Sequence, residues 1–432
     1  MGEYRRLNVR AITSIMARSW RKVMAVHSRR MPEYSGQMKD WNGRDRRCAA
    51  LMRVGLASAV AVFFAAPSVS AQAISVKSYG AKCDGSTDDT VAIQMAINAS
   101  QTANDATCGT NSTAPTKTCS IPVLIEGTCV ISQIQLPSYV SLVGVEVTAA
   151  ELLQKPGTNL DMIVLAPDPG SPSTSNTIQR TTIQHLEING NKASQTGSGS
   201  CIYYYQPSTI SGVRSPRHVI EDVRVENCSA DGIHIFADTG SDRLTNVITA
   251  NNENDGLYFR AGDSQIRGVQ SYQNGKYGVE LRGGDNEVSN SYAWDNSYDG
   301  FWVDGGSHRL VDDNAQGNGH NGFYFNGCNY CVGVGLYSDT NGSGYAGLAL
   351  WATTFSHFTI TSQGIQNQSY GVNWYASTPA NANNIVLATS GAEQTSDYNG
   401  PTPDLASMVV VNGLLRGSLN ITGQYLINGT VH

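Results

Sequence analysis

Three aspartates stand directly before a glycine in one stretch of the chain: Asp231-Gly232, Asp255-Gly256 and Asp299-Gly300. Tyr277 precedes Gly278 at the equivalent point. Carboxylates held close together repel, so one keeps its proton and serves as a general acid while the other remains an anionic base. A second pattern overlaps the first. Tyr277, flanked by Arg260 and Arg282 with His234 nearby, has the parts for abstracting a proton beside a carboxylate whose charge the arginines neutralise. Asp-Gly is also a favoured turn pair, so turn chemistry alone accounts for part of the pattern.

The elements that carry these residues form a repeat. Gly232, Gly256, Gly278, Gly300, Gly322, Gly347 and Gly371 each open a short segment, at separations of 22 to 25 residues. Asn252, Asn274, Asn296, Asn318 and Asn367 each precede such a segment by four residues. The period is too short for a propeller blade and lacks the leucine-rich consensus. Units this short cannot bury their own apolar faces and must stack. The sequence therefore predicts an all-β, single-stranded, right-handed parallel β-helix. Equivalent positions of successive coils lie about 4.8 Å apart.

Period two within each segment separates inside from outside. Positions one and three after the glycine are apolar and fill the coil: Ile233/Ile235, Leu257/Phe259, Val279/Leu281, Phe301/Val303, Phe323/Phe325, Leu348/Leu350 and Val372/Trp374. Positions two and four face outward. They read His234, Tyr258, Glu280, Trp302, Tyr324 in one row and Phe236, Arg260, Arg282, Asp304, Asn326 in the next. Aromatics mixed with both signs of charge suit a binding surface better than a merely solvated one. His234, Tyr258, Arg260, Glu280, Arg282, Trp302, Asp304 and Tyr324 are thus candidate substrate contacts, beside Asp231, Asp255, Tyr277 and Asp299 as candidate catalytic groups.

Composition agrees with such a fold and excludes others. Of 432 residues, 44 are glycine and 15% are charged, while 40% are hydrophobic. That is too apolar for disorder and too poor in charge for a coiled coil. The formal charge of −6 comes from 29 Lys/Arg and 35 Asp/Glu. Residues 1–71 hold 13 and 4 of these, which leaves the rest with 16 and 31, a formal −15. So acidic a body has no general affinity for nucleic acid. An anionic ligand must be held locally by particular basic residues.

Arg44, Arg46, Arg47 and Arg53 precede an apolar run from Val54 to Ala66, followed by the small residues Val69-Ser70-Ala71. This is the order of a secretory signal, and the run is short for a membrane span. The expected division is a leader and signal over 1–71, an N-terminal cap and first coil over 72–130, coils over 131–375, and final coils or a cap over 376–432. The expected location is secreted or periplasmic. Of nine cysteines, Cys48 lies in the leader. The other eight read as disulfides, with Cys83–Cys129, Cys108–Cys119 and Cys201–Cys228 as candidate pairs. Cys328 and Cys331 have metal or redox spacing but no second such motif, which favours a structural bridge.

Residues 76–97 run from Val76 through Tyr79-Gly80-Ala81, Cys83-Asp84-Gly85 and Thr87-Asp88-Asp89-Thr90 to Ala92-Ile93 and Ala96-Ile97. They resemble the N-terminal signature of the pectate-lyase-like β-helix superfamily. Leu136-Pro137-Ser138-Tyr139-Val140 and Leu186-Glu187-Ile188-Asn189-Gly190 resemble later pieces of it. A short helix over Asp88–Ala99 would close the lower end of the coil, with the Asp84–Asp89 cluster in turn and helix-capping roles.

The resemblance implies a polysaccharide partner and several chemistries. Ser229-Ala230-Asp231-Gly232-Ile233-His234-Ile235 is similar to the first acidic motif of polygalacturonase-like hydrolases, and Asn254-Asp255-Gly256 lies where their second stands. Tyr277 replaces their histidine on the next coil, and their Arg-Ile-Lys motif is lacking. Asp231 and Asp255 on adjacent coils could splay to the roughly 6.5–9.5 Å that an inverting pair needs. The repeat also resembles the catalytic module of mannuronan C5-epimerases, whose Tyr, Asp and His of one coil correspond here to Asp231, His234 and Phe236. The alternatives to hydrolysis are β-elimination with Tyr277 as base and a non-catalytic polysaccharide-binding or adhesin β-helix. No cofactor is expected. Asp312-Asp313-Asn314 is compatible with calcium, without ligand spacing that demands it.

Overall fold

The computed structural model describes residues 73–108, 121–165, 180–205, 217–237, 240–363 and 368–375, with five further strands between Asn384 and Val431. The leader with its signal and Cys48, the Cys119 half of the Cys108–Cys119 pair and Asn367 lie outside the described residues.

The chain coils as a parallel β-helix. In the coil headed by Gly256 the strands are Leu257–Arg260, Gln265–Arg267 and Gln270–Tyr272. Three corners separate them, at Asp263, Gly268 and Gln273, each with φ between 54° and 63°. The next coil turns at Asp285, Asn290 and Asp295 in the same left-handed conformation. Gly, Asn and Asp tolerate that conformation best, which accounts for the composition and gives each coil a three-sided section.

Strands of successive coils pair in register: Leu257 lies on Val279, Val279 on Phe301 and Phe301 on Phe323. The first side, here called the front face, is an 11-stranded sheet from Ile134–Gln135 to Ser396–Asn399. The other two sides share a 21-stranded sheet. Among the described strands, only Gln424–Ile427 and Thr430–Val431 pair antiparallel.

The interior is filled as the period-two pattern requires. The seven inward pairs are buried from Ile233/Ile235 to Val372/Trp374, none more than 3% exposed. Phe301 and Phe323 stack at 5.0 Å, so like residues lie on like. Outward positions depart from the expectation in one respect. Glu280 and Trp302 face away from the interior yet are 0% and 9% exposed, because neighbouring side chains cover them.

Asparagine joins the coils at the turn before the front face. Asn252 Nδ2 donates to Asn274 Oδ1, Asn274 to Asn296, Asn296 to Asn318 and Asn318 to Asn341, at 2.9–3.0 Å. Each Oδ1 also accepts the backbone N–H of the asparagine before it, as Asn274 does from Asn252 at 3.1 Å. Cys228 stands at the lower end, its N–H donating to Asn252 Oδ1. Gln368 follows Asn341 at the upper end. Asn341 and Gln368 lie off the strict four-residue spacing, which hid them in the sequence. The ladder also explains the repeat glycines. A Cβ on Gly232, Gly278 or Gly300 would come within 2.7 Å of the amide nitrogen of Asn252, Asn296 or Asn318.

Among the described residues three disulfides are present, Cys83–Cys129, Cys201–Cys228 and Cys328–Cys331. Such bridges belong to an oxidising compartment. No helix among the described residues is long and apolar enough to cross a membrane. Beneath the coils lies the cap helix, Thr90–Cys108, longer than the sequence suggested. Its buried face is Ile93, Ala96 and Ile97, then the polar Ser100 and Asn104. Ser100 Oγ donates to the Ile121 carbonyl and Asn104 Oδ1 accepts the Ile121 N–H, so polar residues continue a face that apolar ones begin. Asp84 accepts from the N–H groups of Ser86 and Thr87, and Asp88 from that of Thr90, which are turn and capping roles.

Candidate active site

The residue before each repeat glycine sits at the rim of the front face, where its side chain can reach the N–H of the next coil. Asp231 Oδ1 accepts the Asp255 N–H at 3.0 Å, and Asp255 Oδ1 accepts the Tyr277 N–H at 3.0 Å. Asp299 Oδ1 takes both the N–H and the Nδ2 of Asn321, at 2.8 and 2.7 Å. Asn321 in turn accepts the Ala346 N–H. One oxygen of each aspartate is therefore committed to joining coils.

The remaining oxygens differ. Asp231 Oδ2 lies 2.7 Å from His234 Nδ1. With Nδ1 donating there, Nε2 is the ring nitrogen left to meet a substrate. His234 is itself held in a stack, 4.4 Å from Tyr258 at 5° and 5.2 Å from Tyr203 at 22°. The ring is thus fixed in plane and in rotation.

Asp255 faces a different set. Its Oδ2 lies 3.7 Å from Lys276 Nζ, which lies 3.2 Å from Glu280 Oε2. Arg282 Nε donates to Glu280 Oε1 at 2.6 Å and its guanidinium covers the Trp302 ring at 4.7 Å. Burial, and then the hydrogen bond and charge of Glu280, hold the Asp255 carboxyl well above the usual carboxylate range. Glu280 is shifted the other way. Burial opposes its charge, but the Asp255 hydrogen bond, Lys276 and Arg282 together outweigh it. The two acids therefore titrate as a pair, with Asp255 the member pushed towards its protonated form.

Other candidates sort clearly. Burial, then Asp299, Glu280 and Asp255, push the Tyr277 hydroxyl well above its ordinary range, so it stays protonated. Tyr277 lies against Trp302 at 5.7 Å, under the Lys276 ammonium at 4.6 Å. Asp299 is 3% exposed, and burial raises it to about 6 against the Asn321 hydrogen bonds. Arg260 lies over the Phe236 ring at 4.2 Å and has no carboxylate partner among the described residues. Asp304 accepts from Asn326 and lies 3.9 Å from Arg282. Tyr324 stands on the next coil, in register with Trp302. Tyr258 and Trp302 are each covered by a ring and a guanidinium: His234 and Arg282 for the first, Tyr277 and Arg282 for the second.

Two residues beside these groups are not marked by the repeat. Lys276 stands two places before its glycine, outside the columns that were compared. Asp161 lies on an earlier coil with no glycine after it, where its Oδ1 accepts the Ser200 N–H at 2.8 Å. Burial raises Asp161, the Ser200 N–H opposes, and the charges of His234 and Asp231 act on it from nearby.

Asp313 has ladder duty rather than calcium-like geometry. Its Oδ1 accepts the Ser291 N–H and its Oδ2 the Val311 N–H. Cys83, Asp89 and Cys129 also cluster, but the cysteines are bonded to each other and Asp89 accepts the N–H groups of Lys82 and Cys83.

A family model described as "Right handed beta helix region" matches residues 213–363. No curated protein matches the sequence. Among solved structures, the A-module of the mannuronan C-5 epimerase AlgE4 of Azotobacter vinelandii is similar with a TM-score of 0.60 at 17% identity, over 78% of this chain and 99% of that one. The A-module of AlgE6 from the same organism gives 0.53 at 16%, over 78% and 98%. The enzymatically active domain of tailspike protein 2 of bacteriophage CBA120 gives 0.52 at 15%, over 84% of this chain but only 52% of that one. The coil geometry, the matched repeat and these structures make the chain a right-handed parallel β-helix.

Proposed function

We propose that the protein acts on an acidic polysaccharide lying on the front face, by proton transfer at His234. The observation that carries this reading is the 2.7 Å contact between His234 Nδ1 and Asp231 Oδ2 inside a Tyr203–His234–Tyr258 stack. A carboxylate on one imidazole nitrogen fixes the tautomer and supports positive charge on the ring, which is the arrangement of a general base. Arg260, with no carboxylate partner among the described residues, places positive charge beside it on a body of net negative charge, which suits a uronate carboxylate.

The reaction that uses both features is β-elimination. His234 Nε2 takes the proton at C5 of a uronate. The electron pair forms the C4–C5 double bond, and the C4–O glycosidic bond breaks. The leaving oxygen takes a proton from the Tyr258 hydroxyl, which burial holds on the protonated side of neutrality. Loss of the base costs about 10²–10⁴-fold in rate.

One observation favours hydrolysis instead, namely that Asp255 is pushed towards its protonated form beside Glu280, since a buried neutral carboxyl is a general acid. Against it, the Asp255 side chain is 3% exposed and the Glu280 side chain 1%. Incubation with polymannuronate, polygalacturonate and hyaluronan separates the readings. Elimination yields ultraviolet absorbance of an unsaturated uronate and survives Asp255→Asn. Hydrolysis yields new reducing ends without that absorbance and is lost in Asp255→Asn. Neither signal on any acidic polymer, with the polymer still bound, would leave a binding module.

A further inference from the structure

The aromatic rings of the front face divide by whether their faces are free. His234 lies between Tyr203 and Tyr258, and Tyr258 and Trp302 are each covered by a ring and a guanidinium. Trp351 and Tyr298 are not. Trp351 is 40% exposed and meets Tyr375 at 47°, with ring centroids 5.9 Å apart. Tyr298 is 42% exposed and meets Tyr277 and His320 at 72° and 62°. Only a ring with an open face can stack on the apolar face of a sugar.

The surface around Trp351 also differs chemically from the acid–base cluster. Outward positions of the three front strands Phe323–Asn329, Ala346–Trp351 and Tyr370–Tyr375 include Tyr324, Asn326, Ala349, Trp351, Asn373 and Tyr375, with no charge among them. Ala349 lies between Tyr324 and Asn373 in register, and its small side chain lets Tyr324 and Tyr375 approach to 6.5 Å across it. Trp351 therefore rises from an apolar, amide-edged floor.

We infer that Trp351 is the sugar-stacking platform of a distal binding site, with Tyr298 a second platform between it and the acid–base cluster, and that the two hold the same acidic polymer whose reacting unit lies at His234. This rests on the reading given under Proposed function. The front strand of Trp351 is five coils above that of His234, about 24 Å at about 4.8 Å per coil. A single sugar or disaccharide cannot bridge that span, whereas a polymer running along the coil axis can. The distal site would thus select for chain length.

Affinity electrophoresis with polymannuronate, polygalacturonate and hyaluronan as probes, and turnover of size-graded fragments of the polymer retained best, test this. Trp351→Ala and Tyr298→Ala should each weaken polymer retention about tenfold, the scale of an aromatic hot spot. The ratio of kcat/KM on polymer to that on the shortest cleaved fragment should fall by a similar factor. Trp351→Phe should restore most of the effect, which a merely structural role would not. Polymer retention unchanged in both alanine variants would overturn the inference, as would equal loss on short and long substrates or no retention of wild type by any probe. Asp231→Asn should keep full retention. If wild type binds polymer through Trp351 but turns none over, the reaction proposed above fails while the platform stands.

Discussion

Two side-chain ladders run up the same edge of the β-helix, one of asparagine and one of aspartate. Both join coils by accepting a backbone N–H from a neighbouring coil. Asn252, Asn274, Asn296 and Asn318 do so with a neutral amide that also donates to the next amide. Asp231, Asp255 and Asp299 do so with a carboxyl group, which is desolvated in place. Asn321, in the aspartate column itself, shows that an amide is sufficient there. Joining coils therefore explains one oxygen of each aspartate and leaves the charge unexplained. At Asp299 both Asn321 donors satisfy it. At Asp231 and Asp255 the surplus faces His234, Lys276 and Glu280, and that is where chemistry can reside.

The largest expected effect breaks the neutral ladder. Asn274→Ala removes the acceptor for two donors of Asn252 and a donor to Asn296, all buried. Leaving such groups unpaired should cost about 3 kcal/mol or more in a denaturant titration. A loss comparable to an exposed substitution would mean that the amide ladder does not hold the coils.

The charged ladder should respond in the opposite sense. Asp231→Asn keeps an acceptor for the Asp255 N–H but loses the anion that orients His234. Thermal unfolding should move little, while turnover of an acidic polysaccharide falls about 10²–10⁴-fold.

Desolvated acids elsewhere sharpen the comparison through pH. Burial raises Asp242 to about 7 and Asp313 to about 8, in both cases against backbone hydrogen bonds. A carboxyl raised on folding binds its proton more tightly in the native state. Its contribution is present at low pH and is lost as pH rises through the folded value. Stability should therefore rise as pH falls from about 8 towards 6.5, the unshifted histidine value. Below that, His218 and His308, which burial lowers to about 3 and about 4, act in the opposite direction. Asp242→Asn should flatten the upper limb in a series of thermal melts. A stability that instead increases steadily from pH 6.5 to 8 would contradict these assignments.

The coil was legible from its glycines because the positions beside them obey hard constraints, a buried pair inside and a ladder amide behind. The cap helix was legible only to Ala99. Ser100 and Asn104 are polar residues buried on its inner face, satisfied by Ile121 and Tyr139, and a pattern of apolar residues ends where they begin. At the site, residue types pointed to Asp231, His234 and Asp255, but the pairing of Asp231 with His234 rather than with Asp255 depends on side-chain direction. Ring stacking was likewise hidden, since His234 and Tyr258 are 24 residues apart in sequence and their rings meet only through rotamer choice across coils. Lys276 was missed because it lies in a corner, and its partners Asp255 and Glu280 come from two different coils.

The most direct test sets two members of the aspartate column side by side. Turnover of the most responsive acidic polysaccharide would be measured for Asp231→Asn and Asp299→Asn, with circular dichroism melts of each. The account predicts a loss of about 10²-fold or more in Asp231→Asn and wild-type turnover in Asp299→Asn, with both folded. Equal loss in the two variants, or none in either, would contradict it. The aspartate column would then be turn chemistry alone.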